Sequence, residues 1–481
     1  MKNRSIIIVI VLAVALLFAG SLLVKLQKPN TQTQSDKTAE NKSLNLNIIV
    51  IDICSLRTDH LSFNGYSRPT SPNIDSFAKQ STYFDNFWTS SGWCLPNFAS
   101  TFTGTVPEVH KMLIPSKSKL SPSLTTLQEI LHDAFYTTAG FSGSRYLTEK
   151  NGLIRGFDTF ENSFPPGSLM PAVSFEENQN KVYDWLINHK NDKKPFFLYL
   201  TVDDTHSPYY SHNPKMFDPE YQGILDNVPN TMSKSSDFDV GGLFFDRIYN
   251  GETIPDAPAK VINDVKEFNK DPKNLYHLIA RYDASVNHID LLVGQILDNI
   301  KKNDLFDKSI IIITSHQGEQ FGEHGLLGHT QGIYESILRV PLIIRMPSQK
   351  EGRRVKELTE RIDIPATLLD ATGILGKYKN QFIGSSLLPL LKGDEIPWKK
   401  YIFASSKPTR LPNDSSPDVE ELAVRNDQYK LIWYAYKPNP YELYDIKNDP
   451  AETKNLVKSE PKVFEELKGQ LDKYKNNFAD K

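Results

Sequence analysis

Cysteine is nearly absent: the 481 residues contain two, Cys54 and Cys94. That excludes a disulfide framework and any zinc site of the four-cysteine kind. An excess of charge of one sign is absent too, with 55 Lys and Arg against 58 Asp and Glu and a formal net charge of -3. A nucleic-acid binder carries a strongly basic footprint, and a disordered chain is charged and poor in aromatics, so both classes fall away. No period recurs along the chain, which removes collagen, coiled-coil and repeat architectures. What is present is 39% hydrophobic and 11% aromatic residues, enough for a sizeable core. The length fits two or three domains, or one large α/β domain with an appendage.

The N-terminus sets the expected compartment. Lys2 and Arg4 precede an uncharged run from Ile6 to Val24, closed by Lys25 and Lys28. Such a run spans roughly 28 Å as a helix, close to the hydrocarbon thickness of a bilayer. Ala19-Gly20-Ser21 keeps a cleavage site open, but the apolar run continues through Leu22, Leu23 and Val24, which favours a signal anchor. Basic residues before the span place the N-terminus in the cytoplasm and the rest of the chain outside it. From Gln27 to Asn45 the composition is Gln, Lys, Thr, Ser and Asn, a flexible stalk. The expected plan is an anchor over 1–25, a linker over 26–45, an α/β domain over 46–397 and a smaller subdomain over 398–481, single-pass in the cell membrane.

Apolar runs at Leu46–Ile53, Phe135–Phe141, Phe196–Val202, Ile310–Thr314 and Val340–Arg345 read as buried strands. Helical patterns alternate with them at Leu124–Ala134, Phe175–Asn188 and Asn274 to about Lys301. In the last of these Leu275, Leu278, Tyr282, Val286, Ile289, Val293, Ile296 and Ile300 line one face. Strands alternating with helices imply a mostly parallel sheet covered on both faces, with ligands at the carboxyl ends of its strands. After Trp398, Asn426-Asp427 marks a hairpin and Lys462–Tyr474 a final helix, together a small antiparallel α+β subdomain. Ser207 to Asp271 lacks periodicity and reads as a lid or substrate-selecting insertion.

Six segments taken in order resemble the sulfatase family. N-I-I-V-I-D-I-C-S-L-R-T-D-H looks like its first strand and metal loop, and W-C-L-P-N-F-A-S-T-F-T-G stands at its nucleophile motif. F-F-L-Y-L-T-V-D-D-T-H-S-P-Y and T-S-H-Q-G-E-Q-F-G-E-H-G-L-L-G-H-T match the remaining site segments. R-I-D-I-P-A-T-L-L-D-A-T-G-I and Y-E-L-Y-D-I-K-N-D-P-A-E-T-K-N-L match its late signatures. The resemblance implies an alkaline-phosphatase-like fold and hydrolysis of a sulfuric ester on a small molecule or glycan. In the family pattern a cysteine becomes formylglycine, whose hydrate attacks sulfur beside one divalent cation, usually calcium.

Carried over residue by residue, the resemblance assigns Cys94, His206 and His329 to catalysis, and Asp52, His316 and Gln317 to the metal. Several positions depart from the pattern. Ile53 and Cys54 stand where a second carboxylate belongs, and Phe98 replaces the motif arginine that the modifying enzyme reads, so formylglycine at Cys94 stays one alternative and the thiol the other. His316 replaces a carboxylate, and imidazole suits zinc or a similar ion better than calcium. No Gly-Lys-Trp-His segment is present; Arg145 lies in its place. Asp203, Asp204 and His324 read equally as loop residues, and Asp59 as a partner of Arg57. The resemblance also implies that the Cys54 and Cys94 segments approach one cation from opposite sides, near enough for a disulfide. Three functions remain open: a sulfatase-type hydrolase, a phosphoryl-ester hydrolase or transferase of the wider superfamily, and a non-catalytic binding protein.

Overall fold

The computed structural model describes residues 46–114, 117–164, 174–227, 245–253, 259–329, 331–407 and 420–478. The Ile6–Val24 run and the stalk through Asn45 lie outside them. Among the described residues no helix is long and apolar enough to cross a membrane.

In chain order the strands are β1 (Asn47–Ile53), β2 (Thr82–Trp88), β3 (Thr137–Ser142), β4 (Thr159–Asn162), β5 (Phe196–Val202), β6 (Ser309–Ser315), β7 (Gln320–Phe321), β8 (Leu327–Gly328), β9 (Leu342–Arg345) and β10 (Arg353–Glu360). Eight of them make one sheet in the order β10-β2-β9-β6-β1-β5-β3-β4. All its pairings are parallel except those of β9, which runs against both β2 and β6. The apolar runs are the centre of this sheet because their side chains serve both faces, alternating with the period of two that a strand imposes. Ile48 and Val50 of β1 join one core with Phe98, Phe102, Ile130 and Leu368. Ile49, Ile51 and Ile53 join the other with Phe77, Leu186, Val286 and Ile296.

Helices α1 (Pro72–Ala78), α2 (Cys94–Thr103), α3 (Leu127–Asp133), α4 (Glu176–His189), α5 (Pro272–Lys302) and α6 (Asp363–Ala371) supply these layers. The start of α5 follows from Asp271, whose carboxylate accepts the Lys273 N–H at 2.9 Å, and from Pro272 in the first turn. Its expected apolar face is the buried one from Tyr282 to Ile300, whereas Leu275 and Leu278 are only partly buried.

The expected structureless insertion contains a helix, Ala259–Phe268, whose Val261, Val265 and Phe268 are buried. Its apolar residues recur at four and three positions, but the surrounding Asp, Asn and Lys mask the period. A second, antiparallel sheet follows: β11 (Ile402–Ser406), β12 (Glu421–Arg425), β13 (Tyr429–Tyr434) and β14 (Tyr441–Asp445). Asn426 makes its hairpin, its side-chain oxygen accepting the Gln428 and Tyr429 N–H groups at 3.0 and 2.7 Å. One face packs on α7 (Pro461–Phe478) through Leu422, Val424 and Leu471. The other shares a core with Trp88, Ile337 and Leu358 of the large-sheet region. The described residues accordingly cluster as one compact unit.

Candidate active site

Register in the centre of the sheet brings three chain segments to one edge. Asp52 of β1 lies level with Thr201 of β5 and Thr314 of β6. The residues just beyond, Cys54-Ser55, Asp203 to His206 and His316-Gln317, therefore emerge together. Cys94 comes from a fourth segment, as the first residue of α2. Asn97 holds the turn ahead of it: its oxygen accepts the Ser90 and Ser91 N–H groups at 3.0 Å each, and its nitrogen donates to the Ser91 and Trp93 carbonyls at 2.7 and 2.9 Å. Gly318 lets the His316-Gln317 turn close, because a Cβ there would meet the Ser336 carbonyl oxygen at 1.9 Å.

Asp52 was expected to hold a metal, but both its oxygens are already engaged. Oδ1 lies 3.1 Å from His316 Nδ1, Oδ2 accepts from Tyr199 Oη at 2.5 Å, and Oδ2 also forms an ion pair with Arg361. Arg361 spends its remaining donors on the Ser315 and Asn97 carbonyls at 2.9 and 3.1 Å. All three partners of this charge cluster are 0% exposed at the side chain. Burial would raise the Asp52 pKa, but Arg361 and then His316 reverse this and hold it at about 2. Burial would likewise lower that of His316; Asp52 and Cys54 lift it to about 9. The two departures from the family pattern also touch, with the Phe98 ring centroid 4.6 Å from that of His316.

A second pair lies beyond Ser55. His329 Nδ1 is 2.6 Å from Glu319 Oε2 and 3.3 Å from Ser55 Oγ, while Glu319 Oε1 accepts from Tyr209 Oη at 3.0 Å. Burial opposes the charge on His329, but the Glu319 carboxylate raises its pKa to about 9. The His206 ring stands edge-on to it at 5.0 Å. His206 Nδ1 donates to the Ser207 carbonyl at 2.8 Å, which leaves Nε2 as an acceptor. Burial, and then the cationic His329, lower the His206 pKa to about 4. The site thus presents one cationic and one neutral imidazole side by side.

The other expected residues divide plainly. Asp203 accepts from Thr201 Oγ1 at 2.8 Å, and Asp204 from Ser174 Oγ and the Phe175 N–H at 2.5 and 2.9 Å, so both are loop anchors. Asp59 pairs with Arg57, and His324 stacks on Tyr334 at 3.5 Å, away from this cluster's bonding. Arg145 lies against Tyr146 and Phe164. Arg361, Glu319, Ser55 and Tyr199 were not singled out from the sequence.

The donors do not fit calcium, which takes six to eight oxygens. Asp52 is consumed by Arg361, Tyr199 and His316, and beside Ser55 Oγ and Gln317 Oε1 the neighbouring donors are sulfur and nitrogen, too few oxygens for that ion. Cys54 and Cys94 are brought together, as free buried thiols rather than a disulfide. Their sulfurs and a His316 ring nitrogen lie within 4.8 Å of one another. Gln317 Nε2 donates to Cys54 Sγ at 3.2 Å and to Ser55 Oγ at 3.3 Å.

Comparison with known proteins gives consistent matches. The sulfatase family model matches residues 46–374, and a model for the C-terminal part of N-sulphoglucosamine sulphohydrolase matches 322–477. A choline-sulfatase of Rhizobium meliloti is 25% identical over 429 residues, covering 81% of this chain and 78% of its own. Arylsulfatase K of Mus musculus is 24% identical over 473 residues, covering 93% and 82%. A solved structure in complex with its substrate, D-glucosamine-2-N,6-O-disulfate, superposes with a TM-score of 0.70 at 22% identity, covering 90% of this chain and 98% of that one.

Proposed function

We propose, since the chain belongs to the sulfatase family and is by family a sulfuric ester hydrolase, that it removes sulfate from a sulfated sugar. The observation that carries the reading is the His329–Glu319 pair beside neutral His206. A buried imidazolium attracts a sulfate monoanion and carries a proton for the departing alkoxide. His206 Nε2 is free to accept a proton from the attacking water. The water oxygen bonds to sulfur as the sulfur–alkoxide bond breaks; one water proton passes to His206, and His329 gives its proton to the departing alkoxide, which leaves as the alcohol. The sugar class is supported by the disulfated glucosamine held by the superposed structure. Cys94 takes no covalent step in this scheme.

The test is release of sulfate, phosphate or phosphonate, measured by ion chromatography on the full chain with sulfated mono- and disaccharides, an aryl sulfate, a phosphate monoester and a phosphonate monoester. Release from a sugar sulfate is expected. Faster turnover of either phosphorus ester overturns the assignment, and so does no turnover anywhere in the panel.

From the uncharged Ile6–Val24 run and its basic flanks we also propose that the catalytic domain lies outside the cytoplasm. Carbonate-washed membranes should retain the full-length chain in the pellet. A soluble mature form starting near Ser21 or Leu22 would show cleavage instead.

A further inference from the structure

We propose that Cys54, Cys94 and His316 bind one zinc ion. The three side chains are buried, and one donor atom from each lies within 4.8 Å of the other two. Two thiolates and an imidazole are a donor set that soft and borderline metals prefer and calcium does not.

An independent observation points the same way. His316 Nε2 is buried with no hydrogen-bond partner, while Nδ1 faces the Asp52 carboxylate. A carboxylate on one ring nitrogen fixes the tautomer and leaves the other nitrogen's lone pair for a metal, the usual support behind a zinc-bound histidine. Arg361 and Tyr199 in turn hold Asp52. Gln317 donates to the Cys54 sulfur, the hydrogen bond a metal thiolate accepts, and its own Oε1 is buried without a partner. Cys94 is the first residue of the ten-residue α2, which fixes its backbone beside the Cys54 loop. Phe98 packs against the imidazole, its ring centroid 4.6 Å away.

The protons balance. Zinc displaces one from each thiol and any proton on His316 Nε2, while Nδ1–H stays on Asp52. Two thiolates then neutralise the dication, so the complex suits a fully buried place. The inference does not depend on which ester the site accepts.

Among the described residues a second three-donor group, Glu176, His212 and His288, also lies within 4.8 Å, with His212 exposed. It serves as the control. Full-length protein purified without chelator should carry about one zinc per chain by mass spectrometry. Cys94→Ser should lower retained zinc about tenfold or more, and His212→Ala should not. Should Cys94→Ser fail to fold, the unaltered protein still decides the matter: cobalt exchange should produce a thiolate-to-cobalt charge-transfer band in the near ultraviolet. Zinc lost on His212→Ala but kept on Cys94→Ser overturns the site. So does a cobalt spectrum without that band, an intact mass light by about two hydrogens and restored by reduction, or formylglycine at Cys94.

Discussion

Replacing Arg361 with methionine should destabilise the protein by about 3–5 kcal/mol, because the Asp52 carboxylate stays behind, buried without its cation. Urea unfolding at pH 7 measures this. The sign with pH is determined. Asp52 titrates at about 2 in the folded chain and near 3.9 unfolded. Its stabilisation is therefore present above about 4 and lost as pH falls toward 2, and the gap between wild type and Arg361→Met should narrow over that window. Asp52→Asn combined with Arg361→Met should recover much of the loss, since no charge is then stranded. A single Arg361→Met variant within about 1 kcal/mol of wild type would contradict the buried pairing.

Removing His329 should lower kcat/KM for the sulfated sugar by about 10²- to 10⁴-fold, the range of a lost general acid. Glu319→Gln is the finer probe. Glu319 keeps His329 protonated up to about 9, so activity should fall as pH rises through that value. Without the carboxylate the alkaline limb should move down toward the ordinary histidine value of about 6.5. The wild-type and Glu319→Gln pH profiles together check it. An unmoved limb would remove His329 from proton transfer, whatever happens to the rate.

The central strands were legible because β1, β5 and β6 are continuous apolar runs, and burial on both faces leaves no other composition. β2 was not, since Asp85 and Asn86 interrupt it. β10 escaped as well: Arg353-Arg354 and Lys356-Glu357 give it the charged look of a loop, which suits an edge strand. In the site, Asp52, Cys94, His206, His316, Gln317 and His329 were found through motifs, and the structure gathers them. Their charge states were not readable. The pairing of Asp52 with Arg361 spans 309 residues and has no local signature. Glu319 sat inside a recognised motif, but nothing in that stretch marked it as the partner of His329 ten residues on. The missing calcium set was legible at Cys54 and His316, but what takes its place needed the positions of Asp52 and the two sulfurs.

The Asp52–Arg361 pair also ties the middle of the sheet to the segment just after its edge strand β10. A ribosome adding about 5 to 20 residues each second delivers Arg361 roughly 15 to 60 s after Asp52. Until then the innermost strand carries a carboxylate that lacks its guanidinium partner and has at most His316 as a cation. The strands that are to flank it arrive earlier, so β1 can meet β5 and β6 while its charge still requires water. Closure of the centre should therefore wait for Arg361, and chains that stop before residue 361 should stay open at the middle of the sheet.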